Sequence, residues 1–167
     1  ELSESYTRLG FYYKKMENTN KAKKYYEKAI KEDPGYWNAY NNYAYFYLDE
    51  GEIKLAEAMF KENIQREPSE PSVYHSMGEF YQKLEEYEKA IEYFDSSIER
   101  DSTYALSYYT LGEIYEKMNN NLFFTYYRIA AELNNEDAKR WIKKNQEQIN
   151  QHNEKTKKPS KKDYIEE

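Results

Sequence analysis

The sequence of 167 residues contains no cysteine, which excludes disulfide bonds, thiolate metal sites and a cysteine nucleophile. It contains only two histidines, His75 and His152, so a metal centre built from several histidines is excluded as well. Five glycines are too few for a phosphate-binding loop in addition to the turns. No apolar run approaches about 18 residues, so the sequence predicts no insertion into a membrane.

Positive charge is also scarce, since 25 lysines and arginines stand against 31 acidic residues, a net charge of −6. Proteins that bind nucleic acid usually carry a basic face, so this balance argues against such a partner. Glu1 is not followed by a basic and then apolar leader, so a signal peptide is absent or already removed. We therefore favour the cytoplasm, and the missing initiator methionine favours a fragment of a longer protein.

Tyrosine is in excess, at 21 of 167 residues. Disordered chains are poor in aromatic residues, so this composition indicates a folded protein despite its low mean hydropathy. A ring with a polar tip suits a thin structure whose core is never far from water.

Similar residues recur along the chain with a period of 34. Six such ladders are present: Tyr6, Tyr40, Tyr74, Tyr108; Tyr13, Tyr47, Tyr81, Tyr115; Gly10, Ala44, Gly78, Gly112; Ala22, Ala56, Ala90; Tyr26, Phe60, Phe94; and Pro34, Pro68. A fixed period of this length indicates a repeat architecture. Spacings of three and four within each repeat predict amphipathic helices. We expect helices at 3–16, 20–32, 37–49, 53–66, 71–84, 87–100, 105–118 and 121–133.

The order of residues within a repeat resembles the tetratricopeptide repeat family. The first repeat gives the pattern: Tyr6, Leu9, Gly10, Tyr13, Ala22, Tyr26, Ala29, Pro34. The resemblance implies an all-α fold, a right-handed α-solenoid of antiparallel helix pairs. The expected organisation is an array over 1–152, with repeats at 3–36, 37–70, 71–104 and 105–137 and a capping helix at 138–152. The stretch 126–133 is also similar to the related Sel1-like repeats.

The fourth repeat departs from the strict period, which would place Phe124 and Arg128 at the small and aromatic positions. Removing one residue from the turn between its helices places three better-suited residues at these anchor positions: Phe123, Tyr127 and Ala130. We therefore expect the shortened turn.

With the shortened turn, Trp141 takes the first anchor position of a fifth unit. The anchor positions that follow it are polar, which is typical of the helix that ends a solenoid. Residues 153–167 form a polar, lysine-rich tail. We expect this tail to be disordered, and a basic localisation signal is the alternative.

The resemblance implies a scaffold that binds a protein or peptide, without enzymatic activity, cofactor or metal. In this family the first helix of each pair lines a concave groove. The candidate ligand-binding residues at the corresponding positions are Phe11, Lys14, Asn38, Asn41, Asn42, Tyr45, His75, Glu79, Tyr109 and Glu113. We expect the three rings to anchor an extended segment or a helix and the three asparagines to form hydrogen bonds. The alternative is that the rings only reflect the tyrosine-rich composition.

Co-chaperones of this family hold a terminal carboxylate with lysine, two asparagines, a second lysine and arginine. The corresponding residues here are Thr7, Phe11, Asn42, Ser72 and Ser76. Only Asn42 matches, so a ligand held by its terminal carboxylate is disfavoured. Two other roles stay open, a chaperone of the secretion-system type and a regulatory or targeting module of a larger protein.

The first repeat has no helix before it in this sequence, so its outer surface should be open. Leu2, Tyr12 and Tyr25 are apolar candidates for that surface. Open apolar patches usually mark interfaces. We expect either preceding repeats or a homodimer formed through the first repeat.

Overall fold

A computed structural model describes residues 1–147, 149 and 150 of the chain. These residues form helices and no strand. The helices are α1 Leu2–Lys15, α2 Thr19–Glu32, α3 Trp37–Asp49, α4 Ile53–Arg66, α5 Pro71–Lys83, α6 Tyr87–Arg100, α7 Ala105–Lys117, α8 Leu122–Glu132 and α9 Glu136–Lys144. Each of the eight predicted helices begins and ends within one residue of these bounds. The predicted tail at 153–167 lies outside the described residues.

The chain divides into two compact units, residues 1–107 and the residues from 108 onward. In the first unit, consecutive helices pair as α1 with α2, α3 with α4 and α5 with α6. α3 also contacts both helices of the first pair, and α5 contacts both helices of the second. Each pair therefore buries its apolar face against the next one, as stacked repeats require.

Small residues allow the two helices of a pair to approach closely. A Cβ atom added to Gly10 would lie 2.7 Å from the ring of Tyr26, and one added to Gly78 would lie 2.6 Å from the ring of Phe94. Both rings are completely buried. The glycine and aromatic ladders therefore belong to one contact, in which a ring lies directly against the backbone of the glycine.

The turns inside the helix pairs share a left-handed residue that the sequence ladders did not include. Positive φ angles occur at Glu17 (57°), Gly51 (79°), Glu85 (60°) and Asn119 (52°). These positions are again 34 residues apart. An L-residue in this conformation costs about 1 kcal/mol, and glycine avoids the cost. Since only one of the four is glycine, residue type alone did not reveal the repeated turn.

Arginines link the ends of successive helix pairs in the first unit. Arg66 Nη1 donates a hydrogen bond to the carbonyl oxygen of Pro34 at 2.9 Å, and Arg100 Nε donates to that of Pro68 at 2.8 Å. The Arg100 guanidinium also lies 3.4 Å from the ring centroid of Tyr74. The prolines that follow the helix pairs thus also supply carbonyl oxygens that accept hydrogen bonds from the next repeat.

The second unit confirms the anchor residues predicted for the fourth repeat but not the shortened turn, because four residues (118–121) separate α7 from α8 and only three (84–86) separate α5 from α6. Phe123, Tyr127 and Ala130 are buried, whereas Arg128 is exposed. As in the first unit, the aromatic residue covers a glycine, since a Cβ on Gly112 would lie 2.7 Å from the Tyr127 ring. The aromatic anchor has therefore moved by one residue and kept its contact.

α9 packs on α8 within the second unit. The Trp141 ring stacks on Tyr127 with centroids 4.3 Å apart, and Ala138 is buried beside it. α9 begins two residues before the predicted start because Asn135 caps it, with Oδ1 accepting the Ala138 N–H at 2.8 Å.

Candidate functional site

A pocket of about 360 Å³ lies between α1 and α3 in the first unit and contains three of the predicted residues, Phe11, Asn38 and Asn42. Phe11 is exposed. Asn42 Nδ2 donates to the backbone oxygen of Asn38 at 2.8 Å and to its Oδ1 at 2.6 Å. Because both contacts fix the Asn42 amide, the pocket combines an open aromatic ring with an oriented polar group.

Asn41, the third predicted amide, does not line this pocket. Its Oδ1 is buried and has no hydrogen-bond partner among the described residues. Asn41 therefore faces the packing between helices rather than a ligand in this pocket.

Arg8 and Tyr36 also line the pocket, and sequence reasoning missed both. Arg8 Nη2 forms an ion pair with Glu4 Oε1 at 2.6 Å, a contact that the spacing of four residues could have indicated. Tyr36 precedes the first residue of α3, so it falls outside the helical period from which the groove positions were assigned.

Tyr45 and Glu79 form a second polar group, which joins α3 to α5. The Tyr45 hydroxyl donates a short hydrogen bond to Glu79 Oε2. The Tyr45 ring packs edge-on against Phe60, with centroids 5.1 Å apart, and burial raises the pKa of Tyr45 well above its ordinary value. Tyr45 is thus partly buried and held in place by these contacts. Its ring is part of the fixed surface and is not free to move toward a ligand.

His75 lies beneath Glu79 and is buried. Its Nδ1 is 3.0 Å from Ser107 Oγ, and its ring packs against those of Phe94 and Tyr104, with centroids 5.1 and 5.5 Å away. Nε2 lies 3.7 Å from Glu79 Oε1. His75 therefore acts on this surface through Glu79 and does not face solvent itself.

Charges of opposite sign alternate across α1, α3 and α5. Lys14 Nζ is 2.5 Å from Asp49 Oδ2, and Lys83 Nζ is 3.9 Å from Asp49 Oδ1. Burial by itself would raise the pKa of Glu79, but the side chains of His75 and Tyr45 outweigh it, and the pKa lies below its ordinary value. Glu79 is therefore charged at neutral pH, and the surface is mixed rather than uniformly charged.

Tyr109 and Glu113 belong to the second unit and lie close enough to influence each other's pKa. Burial raises the pKa of both groups. The Tyr109 ring also packs against Tyr127, with centroids 5.6 Å apart. Within their own unit these two predicted residues form a neighbouring pair.

Within the described range, no group of three or more histidine, aspartate or glutamate side chains is arranged to hold a metal ion. None of the helices in that range is both long enough and apolar enough to cross a membrane.

Comparison with known families decides the identity of the repeat. One sequence model of the tetratricopeptide repeat matches residues 3–36 and 71–104, and a second matches residues 25–58. The matched segments span more than half of the chain. The chain belongs to the tetratricopeptide repeat family. Tetratricopeptide repeats form protein-interaction scaffolds, and the Sel1-like character of residues 126–133 stays a prediction.

Solved structures of tetratricopeptide type resemble this chain. MamA is 22% identical with a TM-score of 0.64, over 82% of this chain and 81% of MamA. PilF of Pseudomonas aeruginosa is 24% identical with a TM-score of 0.68, over 80% of this chain and 61% of PilF. PilW, a type IV pilus biogenesis factor, is 21% identical with a TM-score of 0.67, over 78% of this chain and 61% of PilW.

This tetratricopeptide chain thus spans about three fifths of PilF and of PilW. No curated protein gives a significant match to the sequence. At these identities the likeness shows the fold alone, and it confirms an all-α solenoid built from antiparallel helix pairs.

Proposed function

We propose that this tetratricopeptide chain is a non-enzymatic scaffold that binds a protein segment, extended or helical, along α1, α3 and α5. The observation that carries the proposal is the pocket in which the exposed Phe11 ring lies beside the amides of Asn38 and Asn42. A ring can cover an apolar side chain of the ligand while an amide bonds to its backbone. This combination anchors peptides in grooves.

The charges next to the pocket indicate the kind of segment that fits. Asp49 lies between Lys14 and Lys83, and Glu79 is bonded by Tyr45. Such a surface gives no strong attraction to a ligand of either sign, so shape and hydrogen bonds select the ligand. The surface therefore favours an internal segment of mixed composition, in keeping with the disfavoured carboxylate-terminal ligand.

The chaperone and the regulatory module stay alternatives to a general scaffold. PilW is described as a pilus biogenesis factor, and a role in assembling another protein would use the same surface. The cytoplasmic location and the contact through the first repeat also stay predictions.

Site-specific photo-crosslinking tests the proposal. A benzoylphenylalanine at Phe11 should form an adduct with a partner from cell extract, and the same group at exposed Lys54 on α4 should not. The crosslinked segment is then synthesised and its affinity measured by calorimetry.

Phe11→Ala combined with Asn42→Ala should weaken that peptide at least about tenfold, as expected for an anchor residue, while Lys54→Ala should leave the affinity unchanged. Circular dichroism checks that each variant is folded. The proposal would be contradicted if the crosslinker formed equal amounts of adduct at positions 11 and 54. It would also be contradicted if the double variant bound the peptide with unchanged affinity.

A further inference from the structure

α1 carries a second exposed surface, on a different side of the helix from the pocket. We call it the N-terminal face, formed by Leu2, Leu9, Tyr12 and Met16. Their spacings of seven, three and four residues place them on one line along the helix. They are between 37% and 58% exposed, so four large apolar side chains in a row meet solvent.

The fold buries the two central positions of this line in the following repeats. Leu9 and Tyr12 correspond to Tyr43 and Phe46 one repeat later, which are only 5% and 2% exposed. Both of these rings pack against Tyr26 of α2, with centroids 5.5 and 5.7 Å away. The third repeat also buries the corresponding pair, Met77 and Phe80. The repeat thus shows what covers this line, namely a helix of the α2 type.

The covering helix has a recognisable chemistry. Its buried edge in α2 consists of Ala22, Tyr26 and Ala29, all completely buried. α4 and α6 repeat the alanine and the aromatic residue at the same spacing: Ala56, Phe60; Ala90, Phe94. A helix that fits the N-terminal face should therefore present alanine followed four residues later by an aromatic ring.

Positive charges border the N-terminal face on the side of α2. Lys21 Nζ lies 4.9 Å from the ring centroid of Tyr13, and Lys28 Nζ lies 5.4 Å from that of Tyr6. Tyr6 lies one helical turn after Leu2, and Tyr13 lies one turn after Leu9. The two lysine ammonium groups over these rings therefore flank the N-terminal face.

Arg8 and Lys15, on the other side of α1, belong to the pocket: Arg8 lines it and is paired with Glu4, and Lys15 Nζ lies 5.4 Å from the ring centroid of Phe11. Residues 1–32 hold eight lysines and arginines against five acidic residues, a net charge of +3 in a chain whose total is −6. The cations that border the apolar line are therefore the lysines of α2.

We propose that the N-terminal face docks an amphipathic helix of a partner protein, with an alanine and aromatic edge like that of α2 and with acidic flanks. The apolar edge of the partner helix is inferred from the helices that cover the equivalent residues in the second and third repeats. Its acidic flanks are inferred from the lysines of α2 that border the face. A second copy docked face to face would bring the two lysine borders together, which disfavours self-association. This surface is separate from the pocket, so the inference does not depend on the proposed function.

The test uses the whole chain and a hydrocarbon-stapled peptide with the sequence of residues 86–101. This peptide contains Ala90 and Phe94 and carries six acidic and two basic residues, a net charge of −4. A first control peptide replaces its aromatic residue, Phe94→Ser. A second replaces its acidic residues with the corresponding amides. Binding is measured by fluorescence anisotropy, and the contact is located by NMR chemical shifts of the chain.

We expect the acidic peptide to bind and to shift the resonances of Leu9, Tyr12 and Met16, and both control peptides to bind at least about tenfold more weakly. Leu9→Lys should weaken binding about tenfold although it adds a favourable charge. Leu122→Lys, which changes another exposed leucine, on α8, should have no effect. Rising salt should weaken the acidic peptide, because exposed charges are screened.

Three results would overturn the inference. One is failure of the acidic peptide to bind at low salt. Another is binding that shifts the residues of the pocket around Phe11 and Asn42 instead of the face, which would favour the proposed function alone. The last is sedimentation showing a dimer that Leu9→Lys dissociates, which would assign the face to a second copy.

Discussion

Gly78→Ala tests how the helix pairs are held together. The new Cβ would lie 2.6 Å from Phe94 Cε1 and 2.8 Å from its Cδ1 and Cζ. The Phe94 ring is fully buried and its centroid is 5.1 Å from the His75 ring, so it cannot move aside freely. The substitution should therefore force the two helices apart.

The expected size of the effect follows from two opposing terms. Overpacking a buried contact costs about 1–3 kcal/mol. Alanine is favoured over glycine within a helix by about 1 kcal/mol. Gly78→Ala should thus lower the free energy of unfolding by about 1 kcal/mol, measured by urea denaturation followed by circular dichroism at 222 nm.

Two further variants separate the cost of overpacking from the gain in helix propensity. Ala44→Gly, at the position where the second repeat already has alanine, should cost about 1 kcal/mol from helix propensity. In a Phe94→Leu background the ring is gone, so Gly78→Ala should become neutral or stabilising. The reasoning is refuted if Gly78→Ala stabilises the chain by the full propensity term of about 1 kcal/mol in both backgrounds.

The remaining predictions concern buried polar groups. The Tyr26 hydroxyl is buried without a hydrogen-bond partner in the described residues, so Tyr26→Phe should leave stability unchanged or raise it by up to about 1 kcal/mol. Tyr127→Phe, which loses a 2.7 Å bond to a glutamate, should instead cost about 1 kcal/mol. Equal urea midpoints for the two variants would argue against this difference. The Asn63 side chain likewise has no partner for either amide atom among the described residues, so Asn63→Ala should cost less than the 2 kcal/mol or more typical of large-to-small core changes, again by urea denaturation. Since the folded pKa of Glu79 is lowered, its charge contributes stability that is present above the unfolded pKa and is lost as pH falls through the folded pKa. The stability difference between wild type and Glu79→Gln should therefore be constant near neutral pH and shrink below about pH 4, and a difference that grows in acid would exclude this sign.

The sequence predicted the helices closely because one physical requirement, a ring against a small residue, recurs at every repeat. The same requirement explains why Tyr127 could be placed correctly although the period slips there. The contact between Tyr45 and Glu79 was harder to predict. These residues occupy equivalent positions in successive repeats, so the period places them on the same side, but the hydrogen bond depends on side-chain rotamers.

The repeat period also could not predict whether His75 is buried. Its position fits either the groove or the core, and the sequence does not distinguish the two because burial depends on how closely α5 approaches its neighbours. The left-handed turns at Glu17 and Glu85 were not predicted for another reason. Their conformation is set by the closure of the helix pair, and glutamate gives no local signal for it.

The hydrogen bonds from Arg66 to Pro34 and from Arg100 to Pro68 have a consequence for the order of unfolding. In a stack of repeats, stability divides into the intrinsic stability of each repeat and a coupling between neighbours. The two hydrogen bonds to the proline carbonyl oxygens contribute to the coupling, by about 1 kcal/mol or less each because the arginines are exposed. Coupling of this kind suppresses fraying from the ends, so the three helix pairs of the first unit should exchange their amide hydrogens as one cooperative block.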